Sequence, residues 1–205
     1  MQVAEKILTK DLGQAEYQPV VAAMREFTAR RDADTPDELW LLEHPPVYTL
    51  GLAADTTHGP KFDNGIPVVQ AERGGEITYH GPGQVVLYTL VDLARRGIKV
   101  KQFVAMLEQS VIDLLGSRAE RKPGAPGIYV GGAKVAALGI RVSRGCAYHG
   151  LALNVDMDLT PFSAIDPCGF PGLQVTQTRD LGIRESREML GNSLAGILIG
   201  KLEHA

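Results

Sequence analysis

RGGEITYHGPGQVVLY, residues 73–88, is the segment around which the rest of the chain is organised. It contains four glycines and Pro82, and it runs directly into apolar residues. Glycine permits left-handed backbone and close approach of the main chain to another group, while proline stiffens a turn. The segment is therefore either a long turn between strands or one wall of a pocket. The polar side chains of its first half are Arg73, Glu76, Thr78, Tyr79 and His80.

The segments on either side of residues 73–88 are predicted to be strands. PVVQAE, residues 67–72, leads into it, and QVVLYTLVDL, residues 84–93, follows as a nearly continuous apolar run. Such a run is typical of a strand in a sheet that is covered on both faces.

Apolar spacing elsewhere indicates helices and further strands. Helical periodicity covers residues 14–31, residues 103–115 and the last 20 residues. Strands are predicted at ELWLLEH (38–44), VYTLGL (47–52), GIYVGGAKVAALGIRV (127–142, two strands) and AYHGLALNVDMDL (147–159). Residues 51–65, 117–127 and 160–172 are predicted to be loops. This order favours an α+β fold in which a single domain, residues 1–205, holds a mixed, largely antiparallel sheet flanked by helices.

The bulk composition excludes several classes of function. The chain has 205 residues, a formal net charge of −3 and a pI near 6.0, which argues against a general binder of nucleic acid or membrane surfaces. No segment approaches the roughly 20 apolar residues of a spanning helix, and the N-terminus lacks the apolar region of a signal peptide. We therefore expect a cytoplasmic protein whose two cysteines are free thiols.

Cys168 and Lys134 are the candidate reactive groups. Cys168 lies between Pro167 and Gly169 in an irregular segment, whereas Cys146 opens a strand and is expected to be a packed thiol. Lys134 opens a strand that should be buried, so it is either functional or reaches into solvent from the strand end. A nearby cation that lowers a thiol pKa from about 8.5 to about 7 raises the thiolate fraction roughly fifteenfold but lowers its nucleophilicity roughly fivefold. Lys134 should therefore act mainly by positioning the thiolate and carrying protons.

Other polar residues carry weaker signals. Cys146 and His149 have a C-x-x-H spacing, but with no second pair we expect no metal site. His44, His80 and His149 are expected in or beside polar turns, and His80 and His149 either fix turns or line a pocket. Two basic clusters are candidate docking surfaces for an acidic partner: Arg95, Arg96, Lys99 and Lys101, and Arg118, Arg121 and Lys122.

Three separated blocks resemble one known family: RGGEITYHGPGQ, then GGAKVAALGIR with GCAYHGLALNV, and finally IDPCG. The chain is similar in these blocks to the octanoyltransferases of lipoate biosynthesis, the lipoate-protein ligase B family. The resemblance implies the fold of biotin and lipoate protein ligases. It also implies transfer of an octanoyl group from octanoyl-acyl carrier protein to a lysine of lipoyl domains, including those of 2-oxoacid dehydrogenase complexes and the glycine cleavage H protein. No cofactor, metal, nucleic acid or membrane is implied.

The resemblance also implies roles for particular residues. Cys168 matches the cysteine that forms the acyl-thioester intermediate, and Lys134 matches the lysine that tunes it. The matched substrate-binding residues are Arg73, Gly74, Gly75, Glu76, Ile77, Thr78, Tyr79, His80, Ala137, Leu138, Gly139, Gly150, Leu151 and Ala152. Two alternatives stay open: an ATP-dependent lipoate or biotin ligase on the same fold, and a noncatalytic acyl-binding module.

Overall fold

The computed structural model describes residues 7–54, 59–166 and 172–205. Within these ranges the chain forms two β-sheets, three α-helices and two short 3₁₀ helices. The α-helices are α1 (Tyr17–Arg30), α2 (Val100–Leu115) and α3 (Arg187–Glu203). The strands are β1 (Leu8–Gln14), β2 (Glu38–Glu43), β3 (Val47–Leu50), β4 (Val68–Gln70), β5 (Ile77–His80), β6 (Gln84–Asp92), β7 (Ala119–Lys122), β8 (Ala125–Val130), β9 (Ala133–Ser143) and β10 (Cys146–Asn154).

The larger sheet has seven strands in the order β1-β2-β6-β10-β9-β8-β7. Its pairs are antiparallel except for the parallel pair of β1 and β2. The first eight residues of β6 are all buried, as its continuous apolar run predicts. Helices α2 and α3 cover one face of this sheet, where Phe103, Leu107 and Leu194 pack against Leu87 and Leu151.

The other face of the large sheet is covered by α1 and by the smaller sheet. Tyr17, Val21 and Met24 of α1 pack against Tyr88 and Leu90 of β6. The smaller sheet has the order β4-β3-β5, with β3 and β4 parallel and β3 and β5 antiparallel. The mixed, largely antiparallel α+β fold is thereby confirmed, with two sheets instead of one.

Four strands differ from the prediction in whole or in part. The segment 117–127 was expected to be a loop, but β7 and the start of β8 form a hairpin there. Its strands carry Glu120, Arg121, Lys122 and Pro126, and β7 lies at the edge of the sheet. Charged residues and proline are typical of sheet edges. Because they interrupt the apolar alternation, the sequence pattern did not predict strands here. Strand β1 was not predicted because five of its seven residues are exposed. Residues 77–80 form β5, not a turn.

None of the helices in the described ranges is long and apolar enough to cross a membrane.

Candidate active site

A cavity lies between the large sheet and the segment that contains β5. Its floor is formed by β9 and β10, and residues 73–80 form the facing wall. Twelve of the fourteen predicted substrate-binding residues line it, and Lys134 lines it as well. These twelve are Arg73, Gly75, Glu76, Ile77, Thr78, His80, Ala137, Leu138, Gly139, Gly150, Leu151 and Ala152.

The other two predicted residues support the cavity from outside. The backbone N–H of Gly74 donates to the Ile140 carbonyl over 2.9 Å, which fastens the wall to β9. Tyr79 is 3% exposed, and its ring packs edge-on against Phe162 with centroids 5.4 Å apart.

Small residues form the floor of the cavity. Gly139 pairs with Gly150 and Ala137 pairs with Ala152 across β9 and β10. Because side chains alternate between faces, these two pairs follow one another on the same face of the sheet, and they carry at most a methyl group. A Cβ on Gly139 would lie 2.7 Å from the Gly74 carbonyl oxygen, a distance that real structures do not tolerate. Glycine at this position therefore lets the 73–80 wall sit directly on β9.

Arg73 holds the wall in shape. Its guanidinium donates through Nη1 to the carbonyls of Gly74 and Glu76, each over 2.9 Å. Through Nη2 it donates to the carbonyl and the hydroxyl oxygen of Thr49, each over 2.7 Å. Because these acceptors belong to β3 and to the turn before β5, Arg73 ties the wall to the smaller sheet.

Lys134 is buried, with 3% of its surface exposed, so the alternative of a lysine reaching into solvent is wrong. Its Nζ donates to the Pro126 carbonyl over 3.0 Å and lies 5.3 Å from the centre of the Tyr129 ring. Gly127, at φ +136°, makes room for it, since a Cβ there would lie 2.9 Å from Lys134 Cε.

The backbone of Lys134 is paired with the segment that follows Cys168 in the chain. Its N–H donates to the Gln174 carbonyl over 2.8 Å, and its carbonyl accepts from the Thr176 N–H over 2.9 Å. Val175 forms a parallel bridge with Lys134 and also lines the cavity. Cys168 itself lies outside the described residues.

Three buried histidines lie at or next to the cavity. His44 Nδ1 donates to the Ala15 carbonyl over 2.5 Å, and its Nε2 accepts from the Tyr88 hydroxyl over 2.8 Å. His80 Nδ1 lies 2.8 Å from Gln84 Oε1, and because that oxygen only accepts, Nδ1 is the donor. Burial, reinforced by His44, lowers the pKa of His80 to about 3, so the ring is neutral at pH 7.

His149 is the third, and its backbone is unusual. Its φ is +63°, one of only two positive values among non-glycine residues in the described ranges. The residue is 1% exposed and its ring stacks on Tyr148 with centroids 5.2 Å apart. Burial, with a smaller effect of the Arg73 charge, lowers its pKa to about 3. Both His80 and His149 line the cavity, whereas His44 lies behind Tyr88.

The comparison with known proteins agrees with this geometry. The family model described as the lipoyl protein ligase A/B catalytic domain matches residues 16–190. An octanoyltransferase of Dechloromonas aromatica is 56% identical over 199 residues, covering 96% of this chain and 97% of its own. One of Thiobacillus denitrificans is 58% identical over 195 residues, covering 94% of this chain and 89% of its own. The chain belongs to the octanoyltransferase family.

The fold of this octanoyltransferase is shared with ligases of much lower sequence identity. A putative lipoate protein ligase of T. acidophilum with bound lipoic acid superposes with a TM-score of 0.75 at 18% identity, covering 98% of this chain and 87% of that one. A biotin protein ligase of Aquifex aeolicus superposes with a TM-score of 0.54 at 11% identity, covering 98% and 72%. The predicted ligase-like fold is confirmed.

Cys146 of the octanoyltransferase is a packed thiol, as expected. Cys146 is 7% exposed at the start of β10. Lys134 lies near the opposite end of that strand, where Leu153 pairs with Ala136, so the Cys146 thiol is not next to Lys134. Burial, followed by the nearby Asp92 carboxylate, raises the pKa of its thiol. In the parts of the chain that the structure describes, no group of three His, Cys, Asp or Glu side chains is placed to hold a metal ion.

Two of the four cations in the first predicted docking cluster, Arg95 and Arg96, are not part of a free basic surface, whereas Lys99 and Lys101 are exposed. The side chains of Arg95 and Arg96 are 18% and 10% exposed and both pair with the fully buried Asp37. In the second cluster, Arg121 binds Glu108 and Lys122 Nζ donates to the Gly132 carbonyl. These cations stabilise the fold of the octanoyltransferase, which sequence spacing alone does not reveal.

Several residues that line the cavity were not predicted to bind substrate. For His149 the sequence allowed either a turn-fixing or a pocket-lining role, and its C-x-x-H spacing from Cys146 did not distinguish the two; the structure places it in the cavity lining. Tyr88, Gln84 and Asn154 lie in strands whose patterns indicate burial only. Among the described residues, the additional ones that line the cavity are Tyr17, Gln84, Tyr88, His149, Asn154, Phe162 and Val175.

Proposed function

We propose that this octanoyltransferase moves the octanoyl group of octanoyl-acyl carrier protein to a lysine of lipoyl domains through a thioester on Cys168. Its acceptors would be the lipoyl domains of 2-oxoacid dehydrogenase complexes and the glycine cleavage H protein. The relatives named octanoyltransferase support the transfer, and the pairing of residues 174–176 with Lys134 supports the site.

The first step exchanges one thioester for another. The Cys168 thiolate attacks the octanoyl carbonyl carbon, a new C–S bond forms, and the bond to the carrier sulfur breaks. The carrier leaves as a thiolate and takes up a proton that the Lys134 ammonium is proposed to give, so Lys134 is neutral when the second step begins. No electrons are transferred to or from an outside group, and the acyl group stays activated.

The second step makes the amide. The neutral amine of the acceptor lysine attacks the acyl-enzyme carbonyl, the C–N bond forms, and the Cys168 sulfur leaves as a thiolate. The nitrogen must lose one proton for the amide to be stable. Lys134 is proposed to carry this proton and to hold the Cys168 thiolate. A positioned general acid or base of this kind raises the reaction rate by about 10²-fold or more.

The position of the Lys134 side chain supports this role. The ammonium lies in the cavity wall, held by the Pro126 carbonyl and the face of Tyr129, so its position is fixed before substrate enters. Only five residues separate Cys168 from Gln174, whose carbonyl accepts the Lys134 N–H. A chain of that length spans at most about 22 Å, a limit that is compatible with the proposed contact between Cys168 and Lys134.

The small-residue floor supports an aliphatic substrate. Gly139, Gly150, Ala137 and Ala152 present no polar side-chain atoms and little bulk, which suits an extended acyl chain. We also propose that residues 1–205 act as one catalytic domain, since the matched family model spans residues 16–190. The proposed location is the cytoplasm.

Intact-mass analysis after incubation with octanoyl-acyl carrier protein tests the covalent step. We expect an octanoyl adduct on the native chain that is lost in Cys168→Ser and retained in Cys146→Ser. With Lys134→Ala, transfer to a lipoyl domain should fall by about 10²-fold or more. Transfer that proceeds at full rate in Cys168→Ser would contradict the mechanism. Activity with free octanoate and ATP, and none with the carrier, would indicate a ligase instead.

A further inference from the structure

His149 faces the cavity because its backbone is inverted. In a regular strand, side chains alternate between faces, so residue 149 should point away from the face that Tyr148 and Gly150 share. The φ of +63° breaks that alternation, and the imidazole stacks on Tyr148 and lines the cavity instead. The Thr89 hydroxyl donates to the His149 carbonyl over 2.8 Å and stabilises this arrangement. A non-glycine residue held at such a φ is typical of a functional position.

The hydrogen-bonding groups of His149 lack partners. Neither Nδ1 nor Nε2 has one among residues 7–54, 59–166 and 172–205, although both atoms are buried. The Tyr17 hydroxyl is also buried and has no hydrogen-bond partner in those ranges. Tyr17 lines the cavity and is 4% exposed. Buried polar atoms of this kind require a partner that comes from the contents of the cavity.

The distance from Lys134 to His149 along β9 exceeds the length of an octanoyl group by about one van der Waals contact. Lys134 Nζ lies beside Gly127, which in turn adjoins the Ala136 carbonyl, so the ammonium sits near the level of Ala136 on β9. His149 pairs with Ile140, four residues further along β9, or about 13 Å at about 3.3 Å per residue. The seven C–C bonds of an octanoyl group, about 1.5 Å each in a zigzag, span roughly 9 Å. Its methyl end therefore arrives within about one van der Waals contact of the imidazole.

We propose that His149 and Tyr17 form the polar end of the acyl site and set its chain length. This inference rests on the proposed octanoyl transfer. Water held by the imidazole and the Tyr17 hydroxyl satisfies these groups when the chain ends before them. A longer chain must displace that water and leave polar atoms without partners, and the penalty exceeds what another buried methylene contributes.

A competition experiment tests the proposal. Equal amounts of octanoyl- and decanoyl-acyl carrier protein are offered to the enzyme with one lipoyl domain, and the ratio of decanoyl to octanoyl product is read by mass spectrometry. In Tyr17→Phe and in His149→Phe, which keep the ring but remove the polar atoms, we expect the ratio to rise about tenfold, equivalent to about 1.4 kcal/mol. The ratio does not depend on how much of each variant is folded.

Tyr48→Phe is the matched control. It also removes a buried tyrosine hydroxyl, but that hydroxyl is bonded to the Pro161 carbonyl and to Asn64 and does not line the cavity. Its product ratio should equal that of the native chain. Octanoyl transfer with an unchanged ratio in both cavity variants would overturn the proposal and leave the proposed function standing. An equal rise in Tyr48→Phe would also overturn it, whereas no octanoyl transfer by the native chain would refute the function itself.

Discussion

Lys134 depends on a single glycine for its position. The side chain crosses directly over Gly127, where any Cβ would lie 2.9 Å from Cε and 3.1 Å from Nζ. The Pro126 carbonyl then holds the ammonium over 3.0 Å. A residue without a side chain thereby sets the geometry of a proposed catalytic group.

The substitution Gly127→Ala should therefore reduce activity without removing Lys134. The new methyl carbon would lie 2.7 Å from the Ala136 carbonyl oxygen and 2.9 Å from Lys134 Cε, so both the backbone of β9 and the lysine side chain must shift. We expect kcat for octanoyl transfer to fall by about tenfold or more, since misplacing a proton carrier removes much of its contribution. Steady-state kinetics with a lipoyl domain as acceptor measure the effect.

Gly131→Ala provides the comparison. Gly131 also has a positive φ, +56°, so alanine is strained there too, but no atom lies within 4 Å of its Cβ position. Its kcat should stay close to the native value. If both variants lose kcat equally, backbone strain explains the loss and the contact with Lys134 does not.

The buried histidines predict how stability depends on pH. The pKa of His149 is about 3 in the folded chain, whereas an unfolded histidine titrates near 6.5. As pH falls from 6.5 toward 3, the unfolded chain binds a proton that the native chain does not, so the free energy of unfolding decreases by up to about 1.4 kcal/mol per pH unit for this group. Urea denaturation at pH 7 and pH 5 should show a smaller decrease in His149→Phe. Equal decreases in the two proteins would contradict the assignment.

At the scale of secondary structure, the cavity depends on the contact between β9 and the 73–80 wall. Gly139 allows this contact, and the Gly74 N–H to Ile140 carbonyl bond locks it. Alanine at position 139 would place a methyl carbon 2.7 Å from the Gly74 carbonyl oxygen and 3.1 Å from Arg73 Cδ. The wall would have to move outward along its length.

We expect Gly139→Ala to raise the KM for octanoyl-acyl carrier protein by roughly tenfold, because substrate contacts along the wall loosen by about 1.4 kcal/mol. The change in kcat should be smaller, since Lys134 lies five residues away. Gly74→Ala is the control at the same interface, because its nearest neighbour would be the Ile140 carbonyl oxygen at an ordinary 3.5 Å. A KM increase of the same size in Gly74→Ala would argue against the close-approach explanation.

At the scale of the whole molecule, one buried carboxylate joins distant parts of the chain. Asp37, directly before β2, pairs with Arg31 after α1 and with Arg95 and Arg96 after β6. Arg96 also donates to the Leu202 carbonyl at the end of α3. Burial opposes ionisation of Asp37, but the Asp92 N–H and Arg96 outweigh it and lower its pKa.

Asp37→Ala should destabilise the fold strongly. It leaves three arginines without their buried counter-charge, a change that typically costs about 3–5 kcal/mol, and Tm should fall by roughly 10 °C for a chain of this size. Calorimetry measures the shift. Asp113→Ala removes a more exposed partner of Lys201 and should cost less than about 1 kcal/mol. A Tm for Asp37→Ala within a degree or two of the Asp113→Ala value would contradict the role of the cluster.

Local sequence patterns predict most of the helices and strands and most of the cavity wall. The uninterrupted apolar run of β6, the helical periods of α1 and α2, and the glycines of residues 73–83 are local patterns, and local sterics and burial convert them directly into structure. The resemblance to the family added Lys134 and twelve further residues that line the same cavity. The polar hairpin of β7 and β8 escaped because an edge strand has no apolar period.

Contacts between side chains that are distant in the sequence are set by the folded structure. Arg95 and Arg96 resemble a solvated basic patch until the fold brings Asp37 between them. His149 belongs to the opposite face by strand alternation, and a positive φ turns it into the cavity. Both outcomes depend on contacts between residues far apart in the chain, and those contacts are set by packing of the complete sheet and not by the spacing of neighbouring residues.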